Sequence, residues 1–142
     1  MLYDGKLFKS FNSNEIICDT LESVLKLNTN KIILLEIKDP FIDIDDLVKT
    51  LIKYSDKNIY VMSFYNTVID KLNIKNKTYK VGILNYVLNT TEKHFKYDFI
   101  CILRPLLNDK IIDFVKKNNK ELFVYGNYNN NFKYDFPYYI VD

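Results

Sequence analysis

The chain has one histidine, two cysteines, three glycines and no tryptophan among its 142 residues. A single imidazole excludes chemistry that needs two of them, one as base and one as acid. That histidine, His94, lies in Thr91-Glu92-Lys93-His94-Phe95. There the expected role is a residue near a helix C-terminus on the outer surface, interacting with the helix dipole. Cys18 and Cys101 stand alone with no paired spacing, so metal-binding and redox motifs are absent. A reducing, cytoplasmic setting is the default expectation. Gly82 and Gly126 belong to no glycine-rich phosphate loop; close packing is expected at Gly82 and a turn just past a strand at Gly126.

No charge of one sign dominates: 20 basic residues face 18 acidic ones, a net charge of +2 and a pI near 8.4. Nothing in that balance points to nucleic acid or to an anionic membrane. No apolar run approaches the roughly 20 residues that span a bilayer, so no transmembrane segment is expected. Met1 to Ser10 carries Asp4, Lys6 and Lys9 without an apolar core, unlike a signal peptide.

What is present is a 48% hydrophobic chain, enough for the core of a single domain spanning residues 1–142. Its wealth of Ile, Asn, Lys and Tyr, with Arg104 the one arginine, suggests an AT-rich coding sequence. Asn118, Asn119 and the run from Asn127 to Asn131 read as loop. Apolar runs of strand length recur at Lys31–Ile37, Asn58–Phe64, Tyr79–Asn85, Asp98–Leu103, Glu121–Tyr125 and Tyr138–Val141. Between them, Ile44, Leu47, Val48, Leu51 and Ile52 form one helical stripe, and Ile111, Ile112 and Val115 another. Asp43 and Asn108 are candidate N-caps, and Lys116 and Lys117 suit the last turn of the second helix. Asp19 with Glu22 has capping-box spacing for a short helix through Leu27, and further helices are expected near Thr67–Leu72 and Tyr86–Phe95. Asp4-Gly5 sets a tight turn between short extended segments. Repeated βα units of this kind form either an open doubly wound sheet or most of a barrel.

One strand ends unusually. In Leu34-Leu35-Glu36-Ile37-Lys38-Asp39-Pro40 an apolar run closes on a carboxylate and an ammonium. Two residues apart on an extended chain, Glu36 and Lys38 point the same way at the C-terminal end, where parallel α/β folds place their chemistry.

Leu35-Glu36-Ile37-Lys38, followed by an amphipathic helix, Val61-Met62-Ser63-Phe64 and Tyr79-Lys80-Val81-Gly82-Ile83-Leu84, resembles the second half of a glycerophosphodiester phosphodiesterase domain. That family has Glu-Ile-Lys on its third barrel strand, Ser-Phe after the fourth and a Lys-Val/Leu-Gly-Leu strand fifth. Leu122-Phe123-Val124-Tyr125-Gly126-Asn127 and Tyr139-Ile140-Val141-Asp142 resemble its last two strands, and Leu2 to Lys9 resembles its His-Asp-x-x-Leu-x-Arg segment, with Tyr3 in place of the histidine. The resemblance implies an α/β fold: a partial TIM-type barrel of about six parallel strands with helical crossovers, lacking the first barrel strands. It also implies a scaffold for hydrolysing phosphodiesters derived from glycerophospholipids.

The family's chemistry uses two histidines, a Glu-x-Asp metal pair and a further metal carboxylate, and the first two features have no counterpart in this chain. The resemblance maps the remaining carboxylate onto Glu36 and a phosphate-contacting lysine onto Lys38. Asp4, Asp39 and Asp142 are the candidate extra donors for a divalent cation, Mg²⁺ or Ca²⁺, which needs about six oxygens. The structural alternative is that Glu36 and Lys38 pair with each other or with Arg104. Ser63 lacks the context of a nucleophile and is expected to line the mouth of the barrel. The aromatic-rich stretch Phe132-Lys133-Tyr134-Asp135-Phe136-Pro137-Tyr138-Tyr139 holds one basic residue, so it is expected to pack over a barrel end and not to bind nucleic acid.

The expectation is therefore a glycerophosphodiester phosphodiesterase-like protein that is catalytically inactive in this form, a pseudoenzyme able to bind a phosphodiester ligand. The rivals are a non-enzymatic interaction module with an open sheet, or a hydrolase completed in trans by a chain carrying the missing residues. Uncovered strand edges predict a homodimer or a covering role for the N-terminal segment. An upstream reading frame supplying His and Glu-x-Asp residues would restore the expectation of catalysis.

Overall fold

The structure is a computed structural model that describes residues 2–3, 6–7, 19–75, 78–85, 96–127, 134–135 and 137–141. Six of its strands build one parallel sheet: β3 (Ile33–Glu36), β4 (Ile59–Ser63), β5 (Lys80–Asn85), β6 (Phe99–Leu103), β7 (Glu121–Asn127) and β8 (Tyr138–Val141). Their spatial order is their sequence order, β3-β4-β5-β6-β7-β8. An open doubly wound sheet would reverse direction at a switch point. None occurs among these strands, and the sheet curls into an open, partial barrel.

Side-chain contacts demonstrate the curl. In a flat sheet β4 and β7 would lie three strand spacings apart, about 14 Å. Yet the rings of Tyr60 on β4 and Phe123 on β7 meet at 5.4 Å between centroids. Phe99, between them on β6, touches both, at 5.3 and 5.1 Å. These rings, with Met62, Leu84 and Cys101, form the core of the concave face. Alternate residues of the same strands, including Val61, Val81, Ile83, Ile100, Ile102, Leu122 and Val124, face the other way into a core shared with the helices.

The helices are α1 (Leu21–Leu25), α2 (Ile44–Lys53), α3 (Asn66–Asn73) and α4 (Asp109–Lys117). α2 and α4 form where their stripes and caps predict, except that Ile52, expected in the buried stripe of α2, is 46% exposed because it lies at the outer edge of that stripe. Asp43 caps α2 by accepting from the N–H groups of Asp45 and Asp46 at 3.0 and 3.1 Å. Asn108 caps α4 through Ile111 N–H at 3.1 Å, and Lys116 and Lys117 occupy its last turn. Leu47, Val48 and Leu51 of α2 and Ile111, Ile112 and Val115 of α4 are buried against the sheet.

Two local expectations change. α1 is capped by Thr20, whose Oγ1 accepts from Ser23 N–H at 3.1 Å, so Asp19 lies one residue too early to cap and the helix ends at Leu25. Gly126 sits inside β7, not after it, at a register shift between Val124 and Asn127. Its φ of +77° favours glycine, and a β-carbon there would come within 2.9 Å of the Leu103 side chain.

At the N-terminus, β1 (Leu2–Tyr3) and β2 (Lys6–Leu7) pair antiparallel, Leu2 opposite Leu7 and Tyr3 opposite Lys6, on either side of Asp4-Gly5. This hairpin is a sheet of its own, so no described strand adds to the outer edge of β3 or β8. Among the described residues no helix is long and apolar enough to cross a membrane. The helix expected at Tyr86–Phe95, with His94, lies outside the described residues, as do Asp4, Cys18, Phe132, Lys133, Phe136 and Asp142.

Candidate functional site at the carboxyl ends of the strands

Register settles where Glu36 points. It is opposite Met62, a concave-face residue, so its side chain enters the barrel at the carboxyl end of β3. Lys38 follows on the loop, and its Nζ lies 3.4 Å from Glu36 Oε2, with side-chain exposures of 54% and 28%. The two groups are thus together at the mouth, half in water, where an incoming anion could compete for the ammonium. Of the expected structural pairings, that of Glu36 with Lys38 is present. Arg104 opens the 3₁₀ turn Arg104–Leu106 directly after β6, at the same end of the sheet.

The carboxylate is felt deeper in the barrel. Burial pushes the Cys101 thiol up to about 12, and the negative charge of Glu36 adds to that shift. Cys101 is fully buried and remains a thiol, packing as a small apolar group.

Ser63 does not line the mouth as expected. It is out of phase with Tyr60 and Met62 and has no exposed surface. Its hydroxyl donates to the carbonyl of Ile37 at 2.6 Å and accepts from Tyr65 N–H at 3.1 Å. Asp39, a candidate donor for a cation, spends Oδ1 on the N–H of Phe41 at 2.8 Å. A hard cation needs several oxygens converging on one point. Among the described residues no three His, Cys, Asp or Glu side chains are so placed, and the other two candidate donors, Asp4 and Asp142, lie outside those residues. A groove of about 520 Å³ lies between α1, the loop after β3 and α2, but neither Glu36 nor Lys38 lines it.

The opposite end of the concave face carries a cluster that sequence reading missed. Tyr60, Lys80 and Glu121 begin or nearly begin β4, β5 and β7. Lys80 Nζ donates to Tyr60 Oη and to Glu121 Oε2, both at 2.7 Å, and Tyr60 Oη donates to Glu121 Oε1 at 3.0 Å. The ammonium also lies 4.8 Å from the Tyr60 ring centroid. Burial lowers the tendency of Lys80 to hold its proton, but Glu121 and Tyr60 more than reverse this, so its pKa is raised. Burial raises that of Tyr60 as well. The cluster closes the amino end of the barrel with polar groups that satisfy one another. A lysine and a glutamate at the starts of apolar strands were its only sequence signal, and pairing them required the register.

Three tyrosines of the aromatic stretch near the C-terminus are engaged in packing. Tyr134 Oη donates to Asp109 at the start of α4 at 2.6 Å, Tyr139 Oη donates to the Tyr134 carbonyl at 2.9 Å, and Tyr138 stacks on Phe123 at 4.9 Å.

The strand order and curl define a partial TIM-barrel-like α/β scaffold, consistent with a phosphodiesterase-type fold. The chain matches no family model, no curated protein and no solved structure.

Proposed function

We propose that this partial barrel is glycerophosphodiester phosphodiesterase-like and binds a phosphodiester at its carboxyl-end mouth without hydrolysing it. The observation that supports the reading is the Glu36–Lys38 pair, partly exposed at the end of β3. Lys38 supplies the positive charge for a phosphate oxygen, and its 3.4 Å contact with Glu36 is loose enough to exchange for one. Hydrolysis would further require a base for the nucleophile, an acid for the leaving oxygen and charge neutralisation at phosphorus. The sequence offers His94 as its one imidazole and no Glu-x-Asp pair.

The test is a hydrolysis assay on glycerophosphocholine and an aryl phosphodiester with Mg²⁺, Ca²⁺, Mn²⁺ or chelator, run beside a binding titration of glycerophosphocholine. Expected are no turnover, saturable binding, and weaker but still measurable binding in Lys38→Ala. Metal-dependent turnover abolished by Glu36→Gln would replace the binding reading with an enzymatic one. No binding by the parent protein would remove it. The outer edges of β3 and β8, which no described strand covers, add a second element to the proposal, a second copy of this chain as partner. A monomeric mass by light scattering across a concentration series would exclude that element.

A further inference from the structure

Two peptide units separate Glu36 from Lys38, and β4 holds both. The first presents the N–H of Ile37, which donates to the Met62 carbonyl at 2.8 Å and extends the parallel ladder one residue past β3. The second presents the carbonyl of Ile37, which accepts from Ser63 Oγ at 2.6 Å. Beyond this point the chain turns away through Asp39 and Pro40, and Pro40 has no N–H to donate. The serine side chain therefore grips the chain where the backbone ladder stops. Its own oxygen is fixed in turn by Tyr65 N–H at the start of α3, and the serine is sealed from water.

We infer that Ser63 is the positioning residue of the Glu36–Lys38 pair, setting the direction in which Lys38 leaves the strand. The functional consequence rests on the phosphodiester reading of that pair. Alanine at 63 leaves the Ile37 carbonyl without its hydroxyl donor and frees the peptide that carries Lys38. Threonine keeps the hydroxyl.

Ser63→Ala, Ser63→Thr, Lys38→Ala and the Ser63→Ala/Lys38→Ala double variant are titrated with glycerophosphocholine and followed by amide NMR shifts, folding being checked by circular dichroism. Ser63→Ala is expected to weaken binding about tenfold or more, since small misplacements of a binding group are costly. Ser63→Thr is expected to restore it, and Ser63→Ala to add nothing once Lys38 is gone. Unchanged binding in Ser63→Ala, or the same loss in the Lys38→Ala background, overturns the positioning role while leaving the phosphodiester reading intact. If the parent protein binds no ligand, that reading fails and the ligand-free spectra decide the role of Ser63. Altered backbone couplings at Ile37 and Lys38 in Ser63→Ala, recovered in Ser63→Thr, uphold it; unaltered couplings overturn it.

Discussion

The ring of Phe99 occupies the space in front of Gly82: a β-carbon at position 82 would lie 2.3 Å from Phe99 Cε2 and 2.4 Å from Cδ2. The two residues are register partners on β5 and β6, and Phe99 is completely buried between the Tyr60 and Phe123 rings. The missing side chain on β5 is what lets an aromatic ring from the next strand lie across the barrel interior.

Gly82→Ala is accordingly expected to destabilise the fold by about 1–3 kcal/mol, the usual cost of overpacking a core. Phe99→Leu also destabilises, by leaving a void. In the double variant each change relieves the other, so the combined loss falls short of the sum. Urea denaturation of the four proteins measures this, and strict additivity would show that the ring does not press on position 82.

Removing Glu121 separates the amino end of the barrel from the mouth. Glu121→Ala takes away the acceptor of both Tyr60 Oη and Lys80 Nζ and is expected to cost about 1–3 kcal/mol, the range for orphaning a buried polar group. Lys80 is 45% exposed, so the ion pair itself contributes at most about 1 kcal/mol of that. Tyr60→Phe is expected to cost less, about 0.5–1.5 kcal/mol. Neither change is expected to alter ligand binding at Lys38. A variant that abolishes binding with the fold intact would place the site at the wrong end.

Cys101 should be chemically silent in the folded protein. With a pKa of about 12, only about one thiol in ten thousand is ionised at pH 8. In a Cys18→Ser background, a thiol-reactive disulfide reagent is expected to label Cys101 only after unfolding in urea. Rapid labelling of the native protein would mean that the concave face opens to solvent.

Stability is expected to fall in acid through three surface carboxylates. Burial pushes Asp70 up, but hydrogen bonds from Lys96 and Tyr97 and the Lys96 charge outweigh it and hold the carboxyl below its ordinary 3.8. A hydrogen bond from Lys53, then its charge, holds Glu22 below 4.5, and Lys75 holds Asp45 below 3.8 in the same way. The unfolded chain, with ordinary carboxylates, takes up protons first. The stabilisation is therefore present above those ordinary values and is lost as pH falls through the lower folded ones. Urea midpoints should hold steady from about pH 7 to 5 and drop below about 4.5, with a shallower drop in Asp70→Asn. An identical acid profile in Asp70→Asn would exclude its part.

Much of this fold could be read from the chain because its strongest signals are local. Apolar runs of strand length located all six barrel strands, and Asp43 and Asn108 cap where a short polar side chain precedes an apolar stripe. Asp19 misled because Thr20, one residue on, satisfies the same donors with its own hydroxyl. Gly126 misled because a strand can carry a left-handed residue at a bulge, which composition cannot distinguish from a turn. The mouth was half legible. Glu36 and Lys38 stand out as charges ending an apolar run, whereas Ser63 looks like a solvent-facing residue until its phase relative to Met62 is known. The Tyr60–Lys80–Glu121 cluster depends on which strands are neighbours and on curvature, which brings β4 to β7. Neither is written in any short segment.

The sheet's sequential order bears on how the chain reaches this state. Every ladder of the six-stranded sheet joins strands that are consecutive in the chain, the widest from Ile33 to Ile59 and the narrowest from Phe123 to Tyr138. No pairing has to wait for a distant segment, so each loop closure carries a similar, modest entropic cost. β4 can dock on β3 before β8 has left the ribosome, and the partial barrel can grow strand by strand in the direction of its own synthesis.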